Sequence, residues 1–276
     1  PLDFGNSGTA ARLILGLVST HPIETRFIGD DSLSQRPMRR VTDPLVDFGA
    51  NFNLRNSEFL PIEVKGAEYP IPITHEMKVA SAQVKSAIMF AGLNTPGITT
   101  IIEKEKTRNH TETLFKYYGY KINIEEKDGK NFISFEGQKA LNPVNIKVPG
   151  DPSSAAYPVV AGLICKDSSI KVKNVLLNPT RDGLYKCLDE MGANIRYSNK
   201  KIEAGEITYD IDVSSSTLSA IDVPANRAPT MIDDYPILAI AASMANGTSI
   251  FRGLSELKVK ESDRLLGIYK ILNKNG

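Results

Sequence analysis

The chain has 276 residues, 41% of them hydrophobic and 24% charged, with 33 Lys and Arg set against 32 Asp and Glu for a net charge of +1. That balance argues against a nucleic-acid binder working through a broad basic face. No run of about 18 apolar residues is free of charge, so no membrane-spanning segment is expected, and nothing in the opening residues reads as a signal peptide.

In chain order, the first expected element is a buried helix over "NSGTAARLILGL" (residues 6–17), with Asn6, Ser7, Gly8 and Thr9 at its start. Small polar groups beside the unbonded N–H groups of a helix start suit a phosphate or carboxylate, although plain capping explains them as well. The segment "GDDSLSQRPMRR" (29–40) then gathers Arg36, Arg39 and Arg40. A guanidinium can grip an anion through paired hydrogen bonds, and a solvated basic surface is the competing explanation.

The next pieces reveal a repeat. "LVDFGANFNL" (45–54), "FKYYGYKINI" (115–124) and "CLDEMGANIRY" (187–197) share an amphipathic helical pattern, a glycine and alternating strand residues. Gly49, Gly119 and Gly192 fall where a helix ends and positive φ is needed. Short strands ending at Gly66, Gly137 and Gly205 are expected to follow. The polar-capped apolar helix also recurs, at 81–93, 151–163 and 233–247. A unit of about 70–85 residues is too long for an ordinary solenoid repeat. The pattern predicts α/β architecture with a boundary at 148–150, where Pro149, Gly150 and Pro152 interrupt a strand. The chain starts inside one such unit and ends where earlier units continue into a strand, so both ends are expected to be missing.

Further candidates follow the repeat. "EKTRNHTET" (105–113) places Arg108 and His110 before an outer helix. "MIDDYP" (231–236) opens a buried helix with Asp233 and Asp234, and "VKESDR" (259–264) supplies Lys260, Glu261, Asp263 and Arg264. Helical spacing would put Lys260 and Arg264 on one face, and a carboxylate among such cations suits proton transfer. Cys165 and Cys187, without a CxxC partner, read as two buried free thiols. No HExxH, GxxxxGK[ST] or strand-linked GxGxxG is present, so no metal site is expected and nucleotide-binding loops are disfavoured.

"LDFGNSGTAARL", "GDDSLSQRPM", "SAQVKSA", "RNHTET", "GDPSSAAY", "MIDDYP" and "VKESDRL" together resemble the 5-enolpyruvylshikimate-3-phosphate synthase family, in its order and spacing across essentially the whole chain. The resemblance implies repeated βαβαββ units forming two inverse-barrel-like domains. Residues 1–148 would be most of the shikimate-phosphate-binding domain and 149–276 part of the second. It also implies transfer of the enolpyruvyl group of phosphoenolpyruvate to shikimate 3-phosphate, by a cytoplasmic monomer without metal or organic cofactor and with glyphosate as inhibitor.

Carried onto this sequence, the family pattern puts Ser81, Ala82, Gln83, Arg108, Asp233 and Lys260 at shikimate 3-phosphate. Gly8, Thr9, Arg36, Gln83 and Arg264 fall at phosphoenolpyruvate, with Asn6 and Arg12 in support. Asp233 resembles the base and Glu261 the acid. The family's early Lys-Ser-Arg segment and its late His-Arg and Lys elements have no counterpart here, so an inactive or ligand-binding-only fragment is the alternative. The sister transferase acting on UDP-N-acetylglucosamine is a further one, although its reactive-loop cysteine has no counterpart in 29–40.

Overall fold

The computed structural model describes residues 1–260 and 262–276. The chain divides into two compact units, Pro1–Val144 and Asn145–Gly276, each with its own hydrophobic core.

The first unit contains two copies of one motif. In the first copy β1 (Leu2–Asp3), α1 (Gly8–Ser19), β2 (Glu24–Ile28), α2 (Arg39–Val46), β3 (Asn51–Arg55) and β4 (Phe59–Lys65) follow in order. The second copy repeats it as β5 (Thr74–Glu76), α3 (Ala82–Leu93), β6 (Ile98–Glu103), α4 (His110–Tyr117), β7 (Asn123–Lys127) and β8 (Lys130–Glu136). The sheets have matching strand orders, β1-β2-β4-β3 and β5-β6-β8-β7, in which the first pair is parallel and the others antiparallel. Gly49 and Gly119 follow the outer helices α2 and α4 with φ of 104° and 79°, the left-handed geometry that favours glycine.

The second unit varies the motif. Its first strand is reduced to one parallel bridge, Gly150 to Val175. The flanking Pro149 and Pro152 supply no backbone N–H to extend it. Then come α5 (Pro152–Ile164), β9 (Ser169–Leu176), α6 (Gly183–Glu190), β10 (Asn194–Glu203) and β11 (Glu206–Ser214), paired as β10-β11-β9. A last group holds β12 (Asp222–Val223), α7 (Tyr235–Ser243), β13 (Ile250–Phe251) and α8 (Arg264–Lys274), with β12 parallel to β13.

Three expectations are corrected. The sheets are open, so the inverse-barrel-like description does not hold: closure requires edge strands to bond onward. Instead β1 has two residues, while the edge strand β7 is exposed at every position and carries Glu125, Glu126 and Lys127, charges that discourage further pairing. Gly205 does not end a strand in the manner of Gly66 and Gly137. With Ala204 it forms the positive-φ turn of the β10–β11 hairpin, because β10 continues for ten residues. Cys187 is buried but Cys165 is exposed, since it sits at the C-cap of α5.

Helices α1 and α3 pack very closely. A Cβ on Gly16 would lie 2.1 Å from the Ala87 carbonyl oxygen, so only glycine permits the approach. Gly16→Ala is expected to lower stability by about 1–3 kcal/mol through overpacking against backbone. In a thermal melt that is a drop of roughly 3–10 °C; an unchanged midpoint would show that the helices separate freely. No helix among the described residues is long and apolar enough to cross a membrane.

Candidate functional site

The close crossing of α1 and α3 brings their N-termini together. Ser7 caps α1 by accepting from the Ala10 N–H at 3.2 Å, and Ser81 caps α3 by accepting from the Val84 N–H at 3.4 Å. Gln83 joins the two ends: its Nε2 donates to Thr9 Oγ1 at 2.8 Å, and its Oε1 accepts from Arg12 Nη1 at 2.9 Å. Arg12 also donates to the Pro37 carbonyl at 3.3 Å, tying the loop before α2 to the same place.

Arg36 reaches the start of α1 by donating to the Asn6 side-chain oxygen and, at 3.3 Å, to Ser32 Oγ. Asn6 in turn donates to Asp30 at 2.7 Å. The backbone N–H of Leu33, foremost, and the Asn6 amide hold the Asp30 carboxyl below its ordinary range. Gly8 lies beneath the guanidinium groups: a Cβ there would be 2.9 Å from Arg12 Nη1 and 3.3 Å from Arg36 Nη1.

Arg12 is only 5% exposed. Burial, with smaller repulsion from Arg40 and Arg36, lowers its pKa to about 10. It therefore remains a cation at neutral pH, beside two helix N-termini that also favour negative charge. Cations and helix N-termini placed together in this way can receive an anion.

Asn6, Gly8, Thr9, Arg12, Arg36, Ser81, Ala82 and Gln83 thus gather at one junction. Arg108 lies half-buried in the loop between β6 and α4, and His110 begins α4. Arg39 and Arg40 are exposed. A cluster that the sequence did not suggest stands behind that loop. The Lys85 ammonium is 3.1 Å from Glu103 and 2.6 Å from Glu112, with all three residues buried. Burial pushes the Glu112 carboxyl upward against the opposing pull of Lys85.

In the second unit, Asp151 caps α5 by accepting from Ser154, and Arg181 donates to both Asp151 and Ser153 at 2.8 Å. Asp234 is the N-cap residue of α7, and the preceding Asp233 accepts from Arg264 Nη1 at 3.0 Å. Asp263 caps α8 through the Leu266 N–H at 2.9 Å. Lys260 and Arg264 do not share a helix, because Lys260 ends the short helical turn Ser255–Val259 and Arg264 begins α8. Glu261 lies outside the described residues. Among the described residues no three His, Cys, Asp or Glu side chains gather as a metal site.

The sequence pattern of the family described as EPSP synthase (3-phosphoshikimate 1-carboxyvinyltransferase) matches residues 1–276. A 3-phosphoshikimate 1-carboxyvinyltransferase of Paramagnetospirillum magneticum is 55% identical over 96% of this chain and 59% of its own length. One of Chelativorans sp. is 52% identical over 100% of this chain and 62% of its own. The solved EPSP synthase of Acinetobacter baumannii superimposes with a TM-score of 0.85 at 38% identity, covering 98% of this chain and 60% of that one. The chain thus spans about three-fifths of the length of these relatives, and over that span it belongs to the EPSP synthase family.

Proposed function

We propose that the protein transfers the enolpyruvyl group of phosphoenolpyruvate to the 5-hydroxyl of shikimate 3-phosphate and releases phosphate. The observation that carries this reading is the cationic junction of α1 and α3, formed by Arg12, Arg36, Gln83 and Thr9, in a chain of the EPSP synthase family. Both substrates are anions, and fixed guanidinium and helix-end dipoles bind them without reorganising during reaction.

In this reading residues 1–148 hold shikimate 3-phosphate through Ser81, Ala82, Gln83 and Arg108, and residues 149–276 add Lys260. Gly8, Thr9, Arg36, Gln83 and Arg264 hold phosphoenolpyruvate, while Asn6 and Arg12 orient Arg36 and Gln83. Asp233 takes the proton of the 5-hydroxyl as its oxygen bonds to C2 of phosphoenolpyruvate, and Glu261 delivers a proton to C3. The resulting tetrahedral adduct then loses a methyl proton to Glu261 and expels phosphate, which restores the double bond. Departure of phosphate drives the exchange, so the proposed chemistry needs no metal or organic cofactor. The protein is proposed to work as a cytoplasmic monomer.

The test supplies phosphoenolpyruvate with either shikimate 3-phosphate or UDP-N-acetylglucosamine to the full-length protein and identifies the product by mass. A carboxyvinyl adduct of shikimate 3-phosphate alone is expected; an adduct of the nucleotide sugar alone overturns the reading. Glyphosate at millimolar concentration is expected to inhibit. Gly8→Ala presses a methyl group on the ends of Arg12 and Arg36, side-chain tips rather than backbone, which need shift only by a few tenths of an ångström, so the fold is expected to survive. The variant should show a raised KM for phosphoenolpyruvate and at least about 10-fold weaker glyphosate inhibition, the loss expected from roughly 1.4 kcal/mol of misfit. An unchanged inhibition curve would place glyphosate away from Gly8.

A further inference from the structure

The four first-helix starts differ at one buried position. Four residues after the N-cap stand Ala11 in α1, Lys85 in α3, Ala155 in α5 and Leu238 in α7. All four are buried, and only Lys85 is charged. Its partner shows the same exception. Three residues after the N-cap, α2 and α6 place buried Val41 and Tyr185, whereas α4 places buried Glu112. The motif therefore folds with apolar residues at these places. A buried ion pair is seldom a net source of stability over apolar residues of similar volume, so stability alone does not account for Lys85 and Glu112.

What the charged group does locally is clamp a loop. Glu103 is the last residue of β6 and Glu112 lies in the first turn of α4, so both ends of the intervening segment 104–109 are drawn to one ammonium. Inside the segment, Thr107 donates to Glu103 through its hydroxyl at 2.5 Å and its backbone N–H at 3.3 Å. Next to Lys85, Ser86 bonds Thr111 at 2.6 Å, a second tie between α3 and the start of α4. Lys104 and Lys106 are exposed and occupied by Glu76 and Glu126, while Arg108 lies half-buried. The same helix that carries Lys85 begins with Ser81, Ala82 and Gln83.

We propose that Lys85 is a positioning residue: through Glu103 and Glu112 it fixes the segment 104–109, and with it Arg108, relative to Ser81 and Gln83 for grip on the phosphate of shikimate 3-phosphate. The inference rests on the functional reading above. It assigns Lys85 no contact with substrate. Arg108 meets the phosphate in this reading, so the clamp acts on affinity for the phosphorylated substrate rather than on the acceptance of the ring.

The experiment measures dissociation constants of shikimate 3-phosphate and of shikimate, which lacks the phosphate, on the full-length protein. The first variant combines Lys85→Met, Glu103→Gln and Glu112→Val, which removes all three charges and leaves no buried ion alone. The second is Thr107→Val, an isosteric change at a half-buried loop position. The triple variant is expected to lose about 10- to 100-fold in affinity for shikimate 3-phosphate, the worth of a lost hydrogen bond to a charged group, and less than about 2-fold for shikimate. Thr107→Val is expected to lose about 3- to 10-fold, in the same selective way. Equal losses for both ligands, or none for either, overturn the clamp; if the triple variant does not fold, Thr107→Val decides alone. A wild-type protein that binds neither ligand overturns the functional reading instead, which keeps the two failures distinct.

Discussion

Arg12→Met is expected to lower kcat/KM by at least about 100-fold while leaving the protein as stable as before, or more so. The two effects separate because Arg12 is a poor residue for the fold and a good one for the junction. Burial and the neighbouring Arg40 and Arg36 hold its pKa near 10, below that of an unfolded arginine. A cation with a depressed native pKa opposes folding wherever it is charged, and the penalty fades only as pH rises past that value. At neutral pH the penalty is fully present. Methionine removes it and refills most of the volume, at the expense of the bonds to Gln83 and the Pro37 carbonyl. Gln83 then loses the partner that fixes its amide, and Thr9 loses a fixed neighbour. A thermal melt beside steady-state kinetics checks both halves. A large fall in melting temperature, or retention of activity, contradicts the assignment of Arg12 to the site.

Asp233→Asn is expected to reduce kcat by about 100- to 10,000-fold, the range typical of a lost general base. Asparagine keeps the size of the side chain and an oxygen for Arg264, whose Nη1 stands 3.0 Å from Asp233 in this structure. Substrate dissociation constants should therefore stay within a few-fold of wild type. A loss confined to binding, with kcat preserved, would make Asp233 a partner for Arg264 and nothing more. Comparison with Arg264→Lys separates the roles, because that change retains a cation but loses the fork that grips a carboxylate or phosphate. It is expected to raise KM for phosphoenolpyruvate more than it lowers kcat.

Much of the fold was legible because the same local chemistry recurs. Capping residues such as Ser7, Ser81, Asp151 and Asp263 mark helix starts, and Gly49, Gly119 and Gly192 mark helix ends with positive φ. These are short-range demands of the backbone, and single residues announce them. Sheet closure is a different matter. It depends on whether an edge strand finds another partner, and the brevity of β1 and the charges on β7 weigh against it. Gly205 misled because a hairpin turn and a strand end make the same local request for glycine. Only the length of the paired strand distinguishes them.

The site divides in the same way. Asn6, Gly8, Thr9 and Arg36 are visible as residue types at a helix start and in a basic segment, whereas Arg12 and Gln83 enter through the family resemblance, and the bond between those two joins residues 71 apart in sequence. Lys85 sits unannounced within the apolar stretch of "SAQVKSA", although its position reads Ala, Ala and Leu in the other copies. Aligning the copies at their N-caps exposes it. Its meeting with Glu103 and Glu112 is a consequence of tertiary packing between α3, β6 and α4, which no local pattern encodes.

The most direct test of the account follows inorganic phosphate released from phosphoenolpyruvate and shikimate 3-phosphate, comparing the full-length wild-type protein with its Asp233→Asn variant. The account predicts one phosphate per shikimate 3-phosphate consumed, none when that acceptor is withheld, and a rate at least about 100-fold lower in the variant. Release that continues without the acceptor, no release from folded wild-type protein, or an equal rate in the variant would contradict it.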